Sequence, residues 1–331
     1  MKKHFLKLCG CALMGMVLIT SCSREEISQE PENEAAALDA SKLQVLAYLG
    51  IETDEKAIIN RPPSDLEPSG GYLIGDYFIS NDEMDIYSNE LEELISSSKN
   101  QSSTSKSVQA STQKAFASTA RIKLPRKGKR TIKIGFNNLG PSSLNNTILR
   151  GLQQAAQRYN NLNLNKIKFQ VIPLEERDGF RRLRLGKIDT YVINDVDFSI
   201  VPRGSFADAF ARFPVNGNPG RIIGFNPNAA AFTQQEAMIL LMHEIGHTIG
   251  MAHSDFRTRR SCTGNTVPFR NPLGDLAGVR FVDGVRHIPG TDDTGNFTNS
   301  LMRACGFFAF NGFTGEDKRA FRRLYSNVGF P

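Results

Sequence analysis

The sequence predicts an α+β fold: a twisted, mostly parallel sheet crossed by one helix, then a buried helix ending in two histidines, then a closing amphipathic helix. Three observations predict it. Between residues 130 and 225, short β-rich runs surround one helix-period segment in the order strand–helix–strand–strand–strand–strand, an order suited to a crossover onto a common sheet. Thr233-Gln234-Gln235-Glu236 is a capping box that opens an apolar run over 237–242, the mark of a buried helix. Charge also divides the chain. Residues 22–110 hold 18 Asp/Glu against 6 Lys/Arg, a net of −12, whereas residues 111–331 hold 16 against 31, a net of +15. A small acidic region therefore precedes a larger basic one. The two can dock electrostatically, or the basic part can bind polyanions, and net charge does not separate these.

Taken in order, the chain opens with Lys2, Lys3 and Lys7 before an apolar run over 8–20. That run is too short to span a bilayer and reads as a signal peptide over 1–21. Ile19-Thr20-Ser21-Cys22 resembles a bacterial lipobox, which implies cleavage before Cys22, a lipid on its thiol, and an exported membrane lipoprotein. The alternative is ordinary signal cleavage beside an incidental cysteine. Residues 22–95 form the acidic region, with a helix over 40–49, a strand over 70–79 and a short helix over 91–95. Residues 96–120 are rich in Ser, Gln, Thr and Lys and read as a linker with no core of their own. The basic stretch 121–130 then offers a processing protease a target. The domain 121–331 begins with a strand over 130–136 and a helix over 143–159, whose apolar face is Leu144, Ile148, Leu152 and Ala155. Strands follow over 166–172, 190–193, 206–213 and 221–225. A polar stretch of some 45 residues past His253 has little periodicity, and 315–325 closes the chain as a helix with Phe321 and Leu324 inward. With no repeat and no Gly-rich phosphate loop, a monomer without a specific nucleic-acid partner is expected.

Residues 243–253, His-Glu-Ile-Gly-His-Thr-Ile-Gly-Met-Ala-His, carry the chemistry. His243 and His247 are four apart and share one helix face, so both can grip one cation. Glu244 lies about 100° further round, poorly placed as a ligand but well placed to touch a water on that cation. In a continued helix His253 would lie about 15 Å from His243. It reaches the same ion only if the helix stops and folds back, and Gly250 can supply the left-handed residue this needs. Three histidines with no fourth Cys or His nearby describe one zinc ion with an open position, the arrangement of catalysis. The competing reading is a lipid-anchored binding protein or adhesin with a non-catalytic metal, but a structural site needs no base beside its ligands.

With the signal peptide gone and Cys22 lipidated, only Cys262 and Cys305 remain. An even pair in an oxidising compartment argues for a disulfide; two buried free thiols are the alternative.

Residues 243–253 resemble the metzincin signature, with Met302 in Ser300-Leu301-Met302 as the candidate methionine of the Met-turn, 49 residues after His253. A closer likeness is to the bacterial HEIGH metallopeptidases. It runs from about Gly71 to Tyr325 and includes Gly75-Asp76, His253-Ser254-Asp255, Ile288-Pro289-Gly290-Thr291 and the helix from Asp317 to Tyr325. The resemblance implies a metzincin-like zinc endopeptidase acting on proteins or peptides, secreted or at the cell surface, with Glu244 as general base and acid. Leu73-Ile74-Gly75-Asp76-Tyr77 is similar to the prosegment motif in which astacin-like enzymes present an aspartate to zinc. It implies a zymogen with Asp76 as blocking ligand; an Asp76 in a simple turn of a folded spacer is the other reading.

Overall fold

The computed structural model describes residues 38–51, 58–63, 68–99, 116–118, 120–137, 143–174, 179–194, 209–225, 232–255, 261, 285–288, 291 and 300–326. The signal peptide, Cys22 and Cys262 lie outside the described residues. All described residues belong to one unit, Ala35–Pro331.

The acidic region folds as α1 (Ala40–Leu49), β1 (Ile58–Arg61), β2 (Gly71–Ile74), β3 (Tyr77–Ser80) and α2 (Asn81–Lys99). The strand expected over 70–79 is thus a hairpin, because Gly75-Asp76 turns the chain and Ile74 pairs with Tyr77. The helix expected over 91–95 is the last part of a longer one. It starts at Asn81, where Ser80 Oγ accepts from the Glu83 N–H and Glu83 Oε2 accepts from the Ser80 N–H, a reciprocal cap.

The remainder runs β4 (Phe116–Ser118), β5 (Arg130–Asn137), α3 (Ser143–Asn160), β6 (Ile167–Leu174), α4 (Gly179–Arg184), β7 (Thr190–Asn194), β8 (Ala209–Ala211), β9 (Ile222–Phe225), α5 (Gln234–Ile249), β10 (Met251–Ala252), β11 (Val285–His287) and α6 (Gly315–Tyr325). Eight strands share one sheet in the order β1-β2-β3-β8-β9-β7-β5-β6. β6, β5, β7 and β9 are mutually parallel, β8 is antiparallel to β9, and β3 joins β8 in parallel. The sheet is continuous through the acidic region, a union of distant segments that no local pattern announces.

Alternation builds the core. Ile132, Ile134 and Phe136 of β5 are fully buried beneath Ile148, Leu152, Ala155 and Tyr159 of α3. Along α5 the apolar run Ala237, Met238, Ile239, Leu240, Leu241 and Met242 is buried all round, as a central helix must be. Its ends are fixed: Thr233 and Glu236 form the capping box, and Gly250 closes the helix at φ 108°. Two buried tyrosines grip its backbone, Tyr159 Oη donating to the Met242 carbonyl at 2.7 Å and Tyr325 Oη to the Ile249 carbonyl at 2.6 Å. Residue 117, within the stretch expected as linker, is fully buried. β4 pairs on one side with β10 and on the other with β11, and the Ser118 N–H donates to the Gly250 carbonyl at 2.8 Å.

The acidic region is fastened to the residues that follow β8. Tyr87 Oη donates to the Pro214 carbonyl at 2.7 Å. Glu83 and Arg212 form a buried ion pair at 3.2 Å. Burial pushes the Glu83 carboxyl up to about 7 against its backbone hydrogen bond, and burial lowers Arg212 to about 9.

Candidate metal centre

At the end of α5 the helix presents His243 and His247 one turn apart, then stops at Gly250. β10 turns back along β4 and delivers His253. The three Nε2 atoms converge: His243 to His247 is 3.0 Å and His243 to His253 is 3.3 Å. The Asp76 Oδ2 atom, from the β2–β3 turn, lies 3.1 Å from His243 Nε2, 3.7 Å from His247 Nε2 and 2.8 Å from His253 Nε2. All four ligand atoms fall within 4.8 Å of one another.

The donor set tests whether a metal fits. His243 Nδ1 faces the Leu301 carbonyl at 2.8 Å and His247 Nδ1 faces the Met251 carbonyl at 2.8 Å. A carbonyl only accepts, so each Nδ1 carries the proton and each Nε2 presents a bare lone pair. Burial drives the same way, lowering His247 to about 4 and keeping the imidazole neutral. Two such lone pairs 3.0 Å apart beside a carboxylate oxygen repel one another, and a cation held between them relieves that repulsion. A tetrahedron with bonds of about 2.0–2.2 Å has edges of roughly 3.3–3.6 Å, and the observed spacings of 2.8–3.7 Å lie around and somewhat below it. Asp76 Oδ1 is buried with no hydrogen-bond partner among the described residues, as suits a carboxylate aimed at a cation. The residues fit zinc.

Glu244 is buried beside this cluster, on the helix face next to the ligands. Met302 lies under it. A methyl group added at Gly246 would meet Met302 Sδ at 2.5 Å, so the glycine between the two helical histidines is what lets the thioether pack against α5. The turn at 300–304 is held from both sides by buried carboxylates. Asp317, at the start of α6, accepts from Ser300 Oγ at 2.7 Å and from the Leu301 N–H at 2.9 Å. Asp255 accepts from the Ala304 N–H at 2.8 Å, and the Ser254 N–H donates to the Met302 carbonyl at 2.6 Å. Asp317 thereby holds Leu301, the residue whose carbonyl orients His243. Phe307 stacks on the His243 ring at 4.3 Å and 15°.

Sequence reading placed Asp255 and Asp317 in the family pattern without a role; the Thr314-Gly315-Glu316-Asp317 cap was the signal available for the latter. Tyr77 stood in the prosegment-like motif without a role, and Phe213 and Phe307 carried no signal. Asp317→Ala leaves two buried donors unpaired, each worth about 1–3 kcal/mol, so a stability loss of roughly 3 kcal/mol is expected. Zinc affinity should fall about 10–100-fold, as for lost partners of metal-binding histidines. Thermal unfolding and chelator competition check this; affinity equal to wild type would remove Asp317 from the orientation of His243.

A buried helix and its returning strand converge three imidazoles on one point, with the Glu244 carboxyl group on the same helix, a centre suited to a zinc-dependent hydrolase. A family profile described as dual-action HEIGH metallo-peptidase matches residues 75–325, and the chain belongs to that family. It is a zinc metallopeptidase, and its substrates are peptides or proteins. Among solved structures it is similar to myroilysin, at 16% identity and a TM-score of 0.35 over 64% of this chain and 98% of that one. It is also similar to high choriolytic enzyme 1, a hatching enzyme zinc-protease from Oryzias latipes (Medaka fish), at 12% identity and a TM-score of 0.30, covering 62% of this chain and 94% of that one. The search of curated proteins finds no match.

Proposed function

We propose that this metallopeptidase is an exported, lipid-anchored endopeptidase made in a latent form, in which the acidic region covers the active site and Asp76 is a fourth zinc ligand. The observation that carries the reading is the approach of Asp76 Oδ2 to all three histidine Nε2 atoms, 2.8–3.7 Å. An ionised carboxylate is a good zinc ligand and takes the position a reacting water needs. A second observation supports it. β3 occupies the edge of β8, and the Ala211 N–H donates to the Asp76 carbonyl at 2.9 Å, so the edge on which an extended peptide can add a strand is filled.

In the active form, His243, His247 and His253 hold the zinc, which when bound polarises the peptide carbonyl and makes water a better nucleophile near neutral pH. The carbonyls of Leu301 and Met251 keep two of the rings in the ligand tautomer. Glu244 takes a proton from the attacking water onto its carboxylate and passes it to the leaving amine nitrogen. The Ala211 N–H, released from Asp76, is available to fix the substrate backbone in line.

The anchor at Cys22 and the disulfide between Cys262 and Cys305 complete the proposal. Supporting the disulfide, the Cys305 N–H donates to Ser261 Oγ at 3.0 Å, which brings Cys305 to the residue preceding Cys262. Closing a 44-residue loop stabilises by about 3–4 kcal/mol on the chain-entropy model. Among the described residues no helix is long and apolar enough to cross a membrane.

One preparation of the full chain tests these together. About one zinc per chain is expected, with casein hydrolysis after limited proteolysis that a chelator stops and added zinc restores. The protein should partition into detergent, and denatured, non-reduced material should show no reactive thiol. Chelator-resistant hydrolysis would remove the zinc role, two labelled cysteines the disulfide, and a fully aqueous Cys22 form the anchor.

A further inference from the structure

We infer that the active site carries, directly beside the metal, a flat slot for an aromatic side chain, so that the enzyme favours peptides with Tyr or Phe flanking the scissile bond. The inference rests on the reading of β3 as a displaceable occupant of the substrate edge. The present occupant of the slot is Tyr77, which follows Asp76 directly and is 2% exposed.

Three rings wall it. Phe213 stacks on Tyr77 at 4.8 Å and 19°, His247 meets it edge-on at 4.6 Å and 65°, and His253 lies at 5.0 Å and 47°. Two of these walls are themselves metal-binding histidines. A side chain in this slot therefore belongs to a residue next to the one at the metal, whichever way the chain runs along β8. Strand geometry isolates it further: successive side chains point to opposite faces. Phe78, the next residue, packs across the sheet against Phe210 at 5.8 Å, with the Arg212 guanidinium 4.8 Å from its ring. Only one of the two consecutive aromatics faces the metal.

The walls select shape. A ring entering between Phe213 and the two imidazoles makes one stacked, one edge and one tilted contact, and stacked and edge arrangements are those that aromatic pairs favour. An alanine makes none of them, and an aliphatic side chain fills the volume without the stacking. The Phe213 ring is buried after the end of β8 and also lies 6.0 Å from His247 at 74°. It belongs to the part of the chain that carries the histidines, so Phe213 and His247 stay available to wall the slot when β3 departs.

The test uses the full chain loaded with zinc and activated by limited proteolysis. A peptide library is digested and the residues flanking each cut are identified by mass spectrometry. Peptide pairs differing only in Tyr or Ala at the enriched position then give kcat/KM. The expected result is enrichment of Tyr and Phe on one side of the cut, with a Tyr-over-Ala ratio of about ten- to a hundredfold. Phe213→Ala should bring that ratio towards one, and Phe213→Tyr should keep it. A flat cut profile overturns the slot, and needs no variant to fold. So does a Phe213→Ala enzyme that keeps the full ratio. If that happens while Asp76→Ala still activates the uncut chain, the latency reading survives alone. If neither proteolysis nor Asp76→Ala changes the rate, the latency reading fails and the slot with it.

Discussion

Glu244→Gln is expected to lower peptide hydrolysis about 10²–10⁴-fold and to leave zinc content near that of the wild type. The side chain is buried on the helix face beside the three imidazoles, and none of the ligand distances involves it. Glutamine keeps the shape and a hydrogen-bonding oxygen but cannot take up the proton of the attacking water, so the loss should fall on kcat. Each histidine variant should behave differently, losing metal together with activity. Zinc analysis beside casein and peptide assays separates the two patterns. A glutamine variant that cleaves at the wild-type rate would mean that another group is the base.

Asp76→Ala should make the uncut chain hydrolyse peptides about 10–100-fold faster. That range follows from losing a charge-assisted contact of roughly 1.5–3 kcal/mol. The gain should stay below that of proteolytic activation, because the alanine variant keeps Tyr77 against Phe213, the Glu83–Arg212 ion pair and the Tyr87 bond to Pro214. Asp76→Asn, which removes the charge but not the shape, should fall between. A productive cut must also leave β4 in place. Its pairing with β10 holds Met251 and Ala252, the approach to His253. A cut in the basic stretch 121–130, the processing target the sequence suggests, should therefore inactivate rather than activate, and the productive cut falls before residue 116. Equal rates for uncut wild type, uncut Asp76→Ala and the processed chain would sink the latency reading.

The acidic and basic halves predict attraction, and the contacts found between them are narrower than that. At the junction the buried pair is Glu83 with Arg212. Among the described residues the other fastenings include the Tyr87 hydroxyl, the Tyr77–Phe213 stack, the Phe78–Phe210 contact and the Asp76 contacts with the histidines. Net charge brings such surfaces together, while the fit depends on groups whose neighbours lie more than a hundred residues away.

The centre at 243–253 was legible in the sequence because each part of it is local. Four residues make one helical turn, a capping box starts the helix, and Gly250 ends it in a conformation other residues take up at a cost. Those rules need no knowledge of the rest of the fold. The parallel strands and the closing helix were legible for the same reason, as periodic runs between breakers. What only the tertiary structure decided is everything else joined across the chain: β3 on the edge of β8, Tyr77 against Phe213, residue 117 buried between two strands, and Asp317 under Leu301. An edge strand offers the same row of N–H and C=O groups to any partner, and a buried carboxylate accepts from whichever donors packing brings to it. Those choices are made by the whole core at once, so no window of sequence contains them.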